Sequence, residues 1–462
     1  MIKRYILGLL FFSIVIIQAI SYPQEYGRGV LLNDSLYANS PVAAPLMRGD
    51  YNDVPSKYSL KEYAPTPGYQ GSYGTCAGWS TAYAARTILE AIKFGWNHST
   101  IDSNTFSPSF VYNQIRYGKG CNSGTSIMDA LDVLKNKGSE KLIDFSYDCD
   151  REVTEKDKLL AEEYKIIEYR ELANSGTENK KMFVKKSIAN NRPVVIAMNC
   201  PASFDNAKEV WNPDSSDYHS DWMAGHGITV IGYDDNKFGG AFELINSWGT
   251  NWGNKGFTWM RYPDFQKFCV YAFEVLDKTK DSSNTPDLNG SLKFTEGSGK
   301  EMKASFNGDY FVMQNSYPSE SLFELRISNN EPAYVYAFGS DTTYKVTKIF
   351  PFNEKMTAYL PYIKNDVAIP DEDHYNMIDT AAGSTFYCFL YSKNNLDING
   401  IIAKIEGGTG DFNQRLKDAV KNINVDNENI KYSYDNEIKF NAKSRGKSVV
   451  AILVEIPKPY NK

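Results

Sequence analysis

An α+β domain followed by a separate all-β domain is the fold class this sequence predicts, and three observations predict it. Over about residues 54–276, helical patterns come first and strand patterns afterwards, as in an α+β domain with segregated layers. Asp277 to Gly290 is charged and rich in Ser, Asn, Pro and Gly, so it reads as a linker. Beyond it, short aromatic and β-branched runs split by turn residues read as a sandwich or small barrel. The length of 462 residues also exceeds one ordinary core and suits two domains.

The elements follow in chain order. Lys3 and Arg4, the apolar stretch Tyr5 to Ile20 and the small residues around Ala19-Ile20-Ser21 predict an export signal over residues 1–21. The apolar run is short for a membrane span of roughly 20 residues, and no membrane span is expected once the signal is removed. Residues 22–55 are polar and punctuated by Pro and Asn, too short for a large independent prodomain. Within residues 56–277, Ala77 to Phe94 carries Ala, Ile, Leu and Tyr at helical spacing, and Ser126–Lys135 and Lys180–Asn190 read as further helices. Strand patterns then cover Pro193–Met198, Gly227–Tyr233, Ala241–Asn246 and Gly256–Arg261. The linker is placed at 278–290. In 291–462, strand-like runs such as Leu322–Ile327, Ala333–Phe338 and Thr385–Tyr391 precede a single helical stretch, Phe412–Ile423, and two further strand-like runs. A net charge of −6 with no dense basic patch argues against nucleic acid as a partner.

The chemistry concentrates at four places. In Gln70-Gly71-Ser72-Tyr73-Gly74-Thr75-Cys76, a cysteine stands where a helix begins, so backbone N–H groups and the positive end of the dipole favour its thiolate. His226, in Gly225-His226-Gly227, precedes an apolar strand and suits the role of proton acceptor from that thiol. An imidazole works only when oriented, and the side-chain oxygen of Asn246 at the end of a strand can accept from its other nitrogen. Trp248 would cover that bond against water. Gln70 and the backbone N–H of Cys76 would donate to a tetrahedral oxyanion. Taken singly, each of these is an ordinary loop or turn residue; their joint order is specific. Among the other cysteines, Cys388 lies in an apolar run and reads as a buried thiol. Cys121, Cys149, Cys200 and Cys269 allow three connectivities, with Cys121–Cys149 and Cys200–Cys269 expected, one bridge in each half of the domain.

Gln70 to Ser80, Gly225 to Asp234 and Asn246-Ser247-Trp248-Gly249-Thr250-Asn251-Trp252-Gly253-Asn254-Lys255-Gly256-Phe257 resemble the papain family of cysteine proteases. His226 follows the cysteine by 150 residues, at the long end of the family's about 130–150, and Asn246 by 170, slightly beyond it. The resemblance covers about half the chain and implies the two-lobed papain fold, a helical lobe beside a β-barrel-like lobe. It further implies that Gly120-Cys121-Asn122-Ser123-Gly124 pairs with an extended peptide substrate. Gly124, Thr125, Ala197 and Gly225 would then surround the pocket for the second residue before the scissile bond, with Trp248 also on the substrate side. These residues are small and uncharged, which favours an apolar or aromatic side chain there. Three departures stand out: Ala77 follows the nucleophile, with Trp79 two positions further; Tyr73 replaces a bridging cysteine; and no long inhibitory propeptide precedes Gln70. Loss of that bridge leaves Cys121 to pair with Cys149, and the pattern is nearer the bacterial branch of the family.

The expected function is therefore an exported cysteine endopeptidase acting on protein or peptide substrates without a cofactor or metal. An inactive binding scaffold and an acyl transferase using the same thiol are the alternatives. Exopeptidase restriction by a loop such as Cys200 to Met223 is also open. Residues 22–55 are a candidate propeptide lying across the cleft. The C-terminal half resembles a β-rich bacterial domain of unknown function appended to enzymes and is a candidate for binding an unknown partner. His374, in Asp371-Glu372-Asp373-His374, reads as part of a solvated acidic loop.

Overall fold

The computed structural model describes residues 26–220, 223–277 and 288–459. The expected signal and most of the expected linker lie outside them. Leu288 to Gly290, read as the end of the linker, instead open the strand Leu288–Glu296, because Leu288 is drawn into an apolar core.

The helix that carries Cys76 is continuous to Phe94 but not uniform. It starts as α over Cys76–Gly78, widens to a π-helix over Trp79–Arg86 and returns to α over Thr87–Phe94, where Gly95 at φ 64° ends it. A wider turn loosens the ordinary carbonyl pairing, and hydroxyls take up the slack. Ser80 donates to the Cys76 carbonyl at 2.9 Å, Thr81 to that of Ala77 at 2.7 Å, and Thr229 from a neighbouring strand to that of Ser80 at 2.8 Å. Gly78 permits backbone contact with the helix Pro108–Tyr112: a Cβ there would lie 2.4 Å from the Pro108 carbonyl oxygen.

A seven-stranded sheet stands beside this helix. Its order is Glu168–Ala173, Cys269–Leu276, Val194–Cys200, Ala224–Asp234, Ala241–Ile245 and Phe257–Arg261, with Lys57–Ser59 also paired to Ala224–Asp234. The strand Val194–Cys200 is shared between two cores. Val194, Ile196, Met198 and Cys200 join the sheet-side cluster, whereas Val195 and Ala197 join the cluster around the helix. Side chains alternate across a strand, so one strand fastens the two lobes together. Their seam is where the catalytic candidates lie.

The C-terminal domain is a sandwich with a third layer. A six-stranded sheet containing Leu288–Glu296 and Leu322–Asn329 packs on a seven-stranded sheet containing Ala333–Ser340, Thr385–Ser392 and Val449–Ile456. Two helices, Ile398–Gly407 and Phe412–Val420, cover the outer face of the larger sheet through Ile401, Ile405, Phe412 and Leu416. The expectation of one helix in an otherwise all-β domain is thus corrected. Asp397 caps Ile398–Gly407 through the Gly400 N–H, and Ile398, Ile401, Ile402 and Ile405 stand at helical spacing, a pattern that Gly400 and the glycines from Gly407 onward interrupt in the sequence.

The N-terminal segment belongs to both domains. Val42 forms parallel bridges with Glu171 on one side and Met356 on the other. Its N–H donates to Lys355 O at 2.8 Å, its carbonyl accepts from Thr357 at 3.0 Å, and Pro41 O accepts from Glu171 at 2.7 Å. Ala44, Leu46 and Tyr51 enter the sandwich core. Asp50 accepts from the Asp366 N–H at 2.8 Å, and Arg48 meets Glu372 and Asp373 of the acidic loop. Beneath this strap, Arg170 and Glu274 form a fully buried ion pair, with Tyr362 of the sandwich donating to Glu274 at 3.0 Å.

Candidate active site

Gln70, Cys76, His226 and Asn246 converge at the seam: Cys76 opens a helix, His226 lies in the strand Ala224–Asp234, Asn246 follows the strand Ala241–Ile245, and Gln70 sits in the loop before the helix. The Asn246 side-chain oxygen lies 2.8 Å from His226 Nε2 and also accepts from the Ser247 N–H at 2.8 Å, so this amide oxygen is aimed from two directions. His226 itself is fully buried, and Trp248 lies over it with ring centroids 4.6 Å apart. Its other nitrogen, Nδ1, has no hydrogen-bond partner among the described residues.

Gln70 is held by a residue the sequence reading passed over. Ser247 donates to Gln70 Oε1 at 2.5 Å, which turns the amide nitrogen toward the cleft. That nitrogen donates to Tyr73 O at 2.6 Å and to Gly27 O at 3.1 Å. The loop beneath is fixed by Tyr147, whose hydroxyl donates to Gln70 O at 2.9 Å. Trp79, displaced from its usual place in the family, packs edge-on against Tyr147 with centroids 5.1 Å apart and so supports the same loop from below.

The cleft is filled by the chain's own residues 27–32. Val30 forms an antiparallel bridge to Gly225 and a parallel one to Thr125. Leu31 N–H donates to Thr125 O at 2.8 Å, Thr125 N–H to Gly29 O at 3.0 Å, and Val30 N–H to Gly225 O at 3.1 Å. The fit is at backbone contact: a Cβ on Gly225 would meet Val30 O at 2.0 Å, and one on Gly124 would meet Leu31 at 2.6 Å. Val30 joins Cys76, Ala77, Ile127 and Ala197 in one buried cluster. Trp248 donates its indole N–H to Gly27 O at 3.2 Å and stacks on Tyr26 at 4.6 Å. Of the five residues expected at the substrate, Gly124, Thr125, Gly225 and Trp248 touch this segment, and Ala197 shares the buried cluster of Val30.

Burial sets the charge state of the closed site. It raises the Cys76 thiol pKa, against backbone hydrogen bonds with Gly227, Gly29 and Val30 that favour the thiolate. It lowers that of His226 to about 3, although the bond to Asn246 works the other way. With the cleft filled, thiol and imidazole are both neutral.

Cys121 and Cys149 are bridged, with Cα atoms 5.3 Å apart. Cys200 and Cys269 are free thiols, contrary to expectation. The register pairs Cys269 with Met198, so Cys200 falls beyond it along the strand. The two sulfurs then turn to separate partners: Cys200 accepts from Arg28 Nε at 3.3 Å, and Cys269 donates to Tyr271 O at 3.6 Å.

Residues 64–276 match the model of the papain family of cysteine proteases. This part of the chain is a papain-family domain. Among curated relatives, Cysteine protease XCP2 of Arabidopsis thaliana is 24% identical over 188 residues, 41% of this chain and 49% of the relative. Cathepsin L of Sarcophaga peregrina is 29% identical over 215 residues, covering 44% and 58% respectively. The chain spans about half the length of the curated relatives it matches. Among solved structures, Xylellain, a cysteine protease from Xylella fastidiosa, aligns with a TM-score of 0.45 at 20% identity, over 56% of this chain and 99% of that one.

Proposed function

We propose that this papain-family domain hydrolyses peptide bonds through Cys76, and that residues 26–32 hold it shut. The observation that carries the reading is the convergence of Gln70, Cys76, His226 and Asn246 on a cleft that already holds an extended peptide. In the open enzyme, His226 Nδ1 takes the thiol proton, and the orphaned state of that nitrogen in the closed site leaves it available for this. The Cys76 sulfur attacks the substrate carbonyl carbon while Gln70 and the Cys76 N–H donate to the oxyanion. His226 returns the proton to the leaving amine. Water, deprotonated by the same imidazole, then releases the acid and restores the thiol.

The strap is not itself positioned for cleavage. It runs from Gly27, beside Gln70 and Trp248, to Val30, beside Thr125 and Gly225, which is opposite in direction to a substrate whose residues before the scissile bond lie at Thr125 and Gly225. Export of the protein fits the Cys121–Cys149 bridge, since such bonds persist in oxidising compartments. No helix of the described residues is long and apolar enough to cross a membrane.

The test is mass spectrometry after treatment with an epoxysuccinyl thiol-protease reagent, on the closed protein and on protein cut within residues 33–39, at the short helix Asp34–Tyr37. One adduct mapped to Cys76 after cutting, with turnover of a peptide substrate and neither in Cys76→Ser, is the expected outcome. A cut, folded protein that gives no adduct at Cys76 refutes the peptidase reading.

A further inference from the structure

The strap's Arg28 occupies a built acidic pocket next to the catalytic histidine. Its guanidinium pairs with Asp205, donates to Cys200 Sγ at 3.3 Å and Tyr26 O at 3.3 Å, reaches Pro201 O at 3.5 Å, and lies 5.1 Å over the ring of Trp248. Side-chain exposures of 15% for Arg28 and 32% for Asp205 put both in a partly desolvated site, where a charge pair is worth more than on the open surface. The pocket's other wall, Trp248, covers His226. Asp205 comes from the short helix Ala202–Asn206, which follows the strand Val194–Cys200.

The position along the cleft follows from the strap. Val30 sits against Thr125 and Gly225, the side that takes residues before the scissile bond. Arg28 lies two residues back, past the Gly29 backbone that faces Cys76, and so on the leaving-group side. When the strap departs, Asp205 loses the ion-pair partner it has among the described residues and stays behind as a carboxylate beside an indole face. A carboxylate at hydrogen-bond reach and an aromatic face together select a long cationic side chain, by charge-assisted bonding and cation–π contact.

Resting on the peptidase reading above, we infer that Asp205 determines specificity on the leaving-group side, selecting substrates with Arg or Lys immediately after the scissile bond. Arg28 is then a mimic of that side chain, which explains why the blocking segment carries its one cation at this place. Asp205 is a positioning and selectivity residue that touches substrate but takes no part in proton transfer.

The experiment uses the full chain with a specific protease site placed in residues 33–39, cut and freed of the N-terminal fragment. Two peptides differ only in Arg or Gln after the scissile bond. Their kcat/KM is measured on the cut enzyme, and their Kd on the cut Cys76→Ser variant, each with Asp205, Asp205→Asn and Asp205→Lys. The expected result is a preference for Arg of about tenfold or more. That preference falls to within twofold in Asp205→Asn and reverses in Asp205→Lys, where the Gln peptide becomes the better substrate. Turnover without a preference, or a preference that survives Asp205→Asn, overturns the inference and leaves the peptidase reading intact. An Asp205-dependent difference in Kd without turnover upholds the pocket and counts against hydrolysis instead.

Discussion

Replacing Gly29 by Ala tests the closed state most directly. A Cβ at this position would lie 2.1 Å from the carbonyl oxygen of Gly74, inside any real contact. The Gly74 backbone cannot give way easily: its N–H is bonded to Cys121 O at 2.8 Å, and Cys121 is bridged to Cys149. The strap must move instead, straining the bond from Thr125 N–H to Gly29 O at 3.0 Å. Overpacking of this kind costs about 1–3 kcal/mol. Each 1.4 kcal/mol is tenfold in an equilibrium, so the open fraction should rise roughly 5- to 150-fold. The assay is the second-order rate of epoxysuccinyl labelling of Cys76, which tracks the open fraction while the closed form dominates. Gly49→Ala serves as control, because its Cβ would meet nothing within 4 Å. A Gly29→Ala protein with native thermal stability and a labelling rate within twofold of wild type would refute the argument that this segment guards the thiol.

Three other outcomes are expected. Closed His226 stays neutral down to about pH 3 and the Cys76 thiol keeps its proton, whereas on opening that proton passes to His226, so between pH 3 and the ordinary 6.5 opening takes up no proton from solvent. Labelling of Cys76 should therefore stay within about threefold across that range, measured in an Asp205→Asn background because burial also raises that carboxyl; a steep acid dependence contradicts the thiol-to-imidazole transfer. Glu274→Leu strands the buried Arg170 charge between the domains, and a loss of about 3–5 kcal/mol should lower Tm by roughly 6–20 °C in calorimetry. Ser247→Ala frees the Gln70 amide to rotate, so kcat of the cut enzyme should fall about tenfold with KM nearly unchanged; an equal effect on KM alone would assign Ser247 to substrate binding.

Much of the candidate site was legible in the sequence because its parts are local. Cys76 announces itself by a helix start, and Asn246-Ser247-Trp248-Gly249 by a dense run whose residues act within a few positions of one another. The helices and strands expected in the enzyme domain lie within one or two residues of the observed ones at most ends, whereas the strands Glu168–Ala173 and Cys269–Leu276 and the helices Pro108–Tyr112, Glu155–Ala161 and Tyr262–Phe268 were not among them. Ser247 was inside a quoted motif yet its role went unseen, since its partner Gln70 lies 177 positions away. Ile398–Gly407 carries Ile398, Ile401, Ile402 and Ile405 at helical spacing, but Gly400 within it and Gly407-Gly408 at its end read as breakers.

What the sequence determined by itself is the chemistry: the identity and order of Gln70, Cys76, His226 and Asn246, and the α+β domain that carries them. Tertiary structure alone decided the state of that chemistry. Residues 27–32 have no helical or strand period of their own, and their conformation comes from pairing with Thr125 and Gly225, about a hundred and two hundred positions on. Val42, Ala44 and Leu46 read as scattered apolar residues until two domains close on them. Arg28 and Asp205 are unremarked charges in the linear order, and only the folded cleft, by removing water from both, makes them a pair.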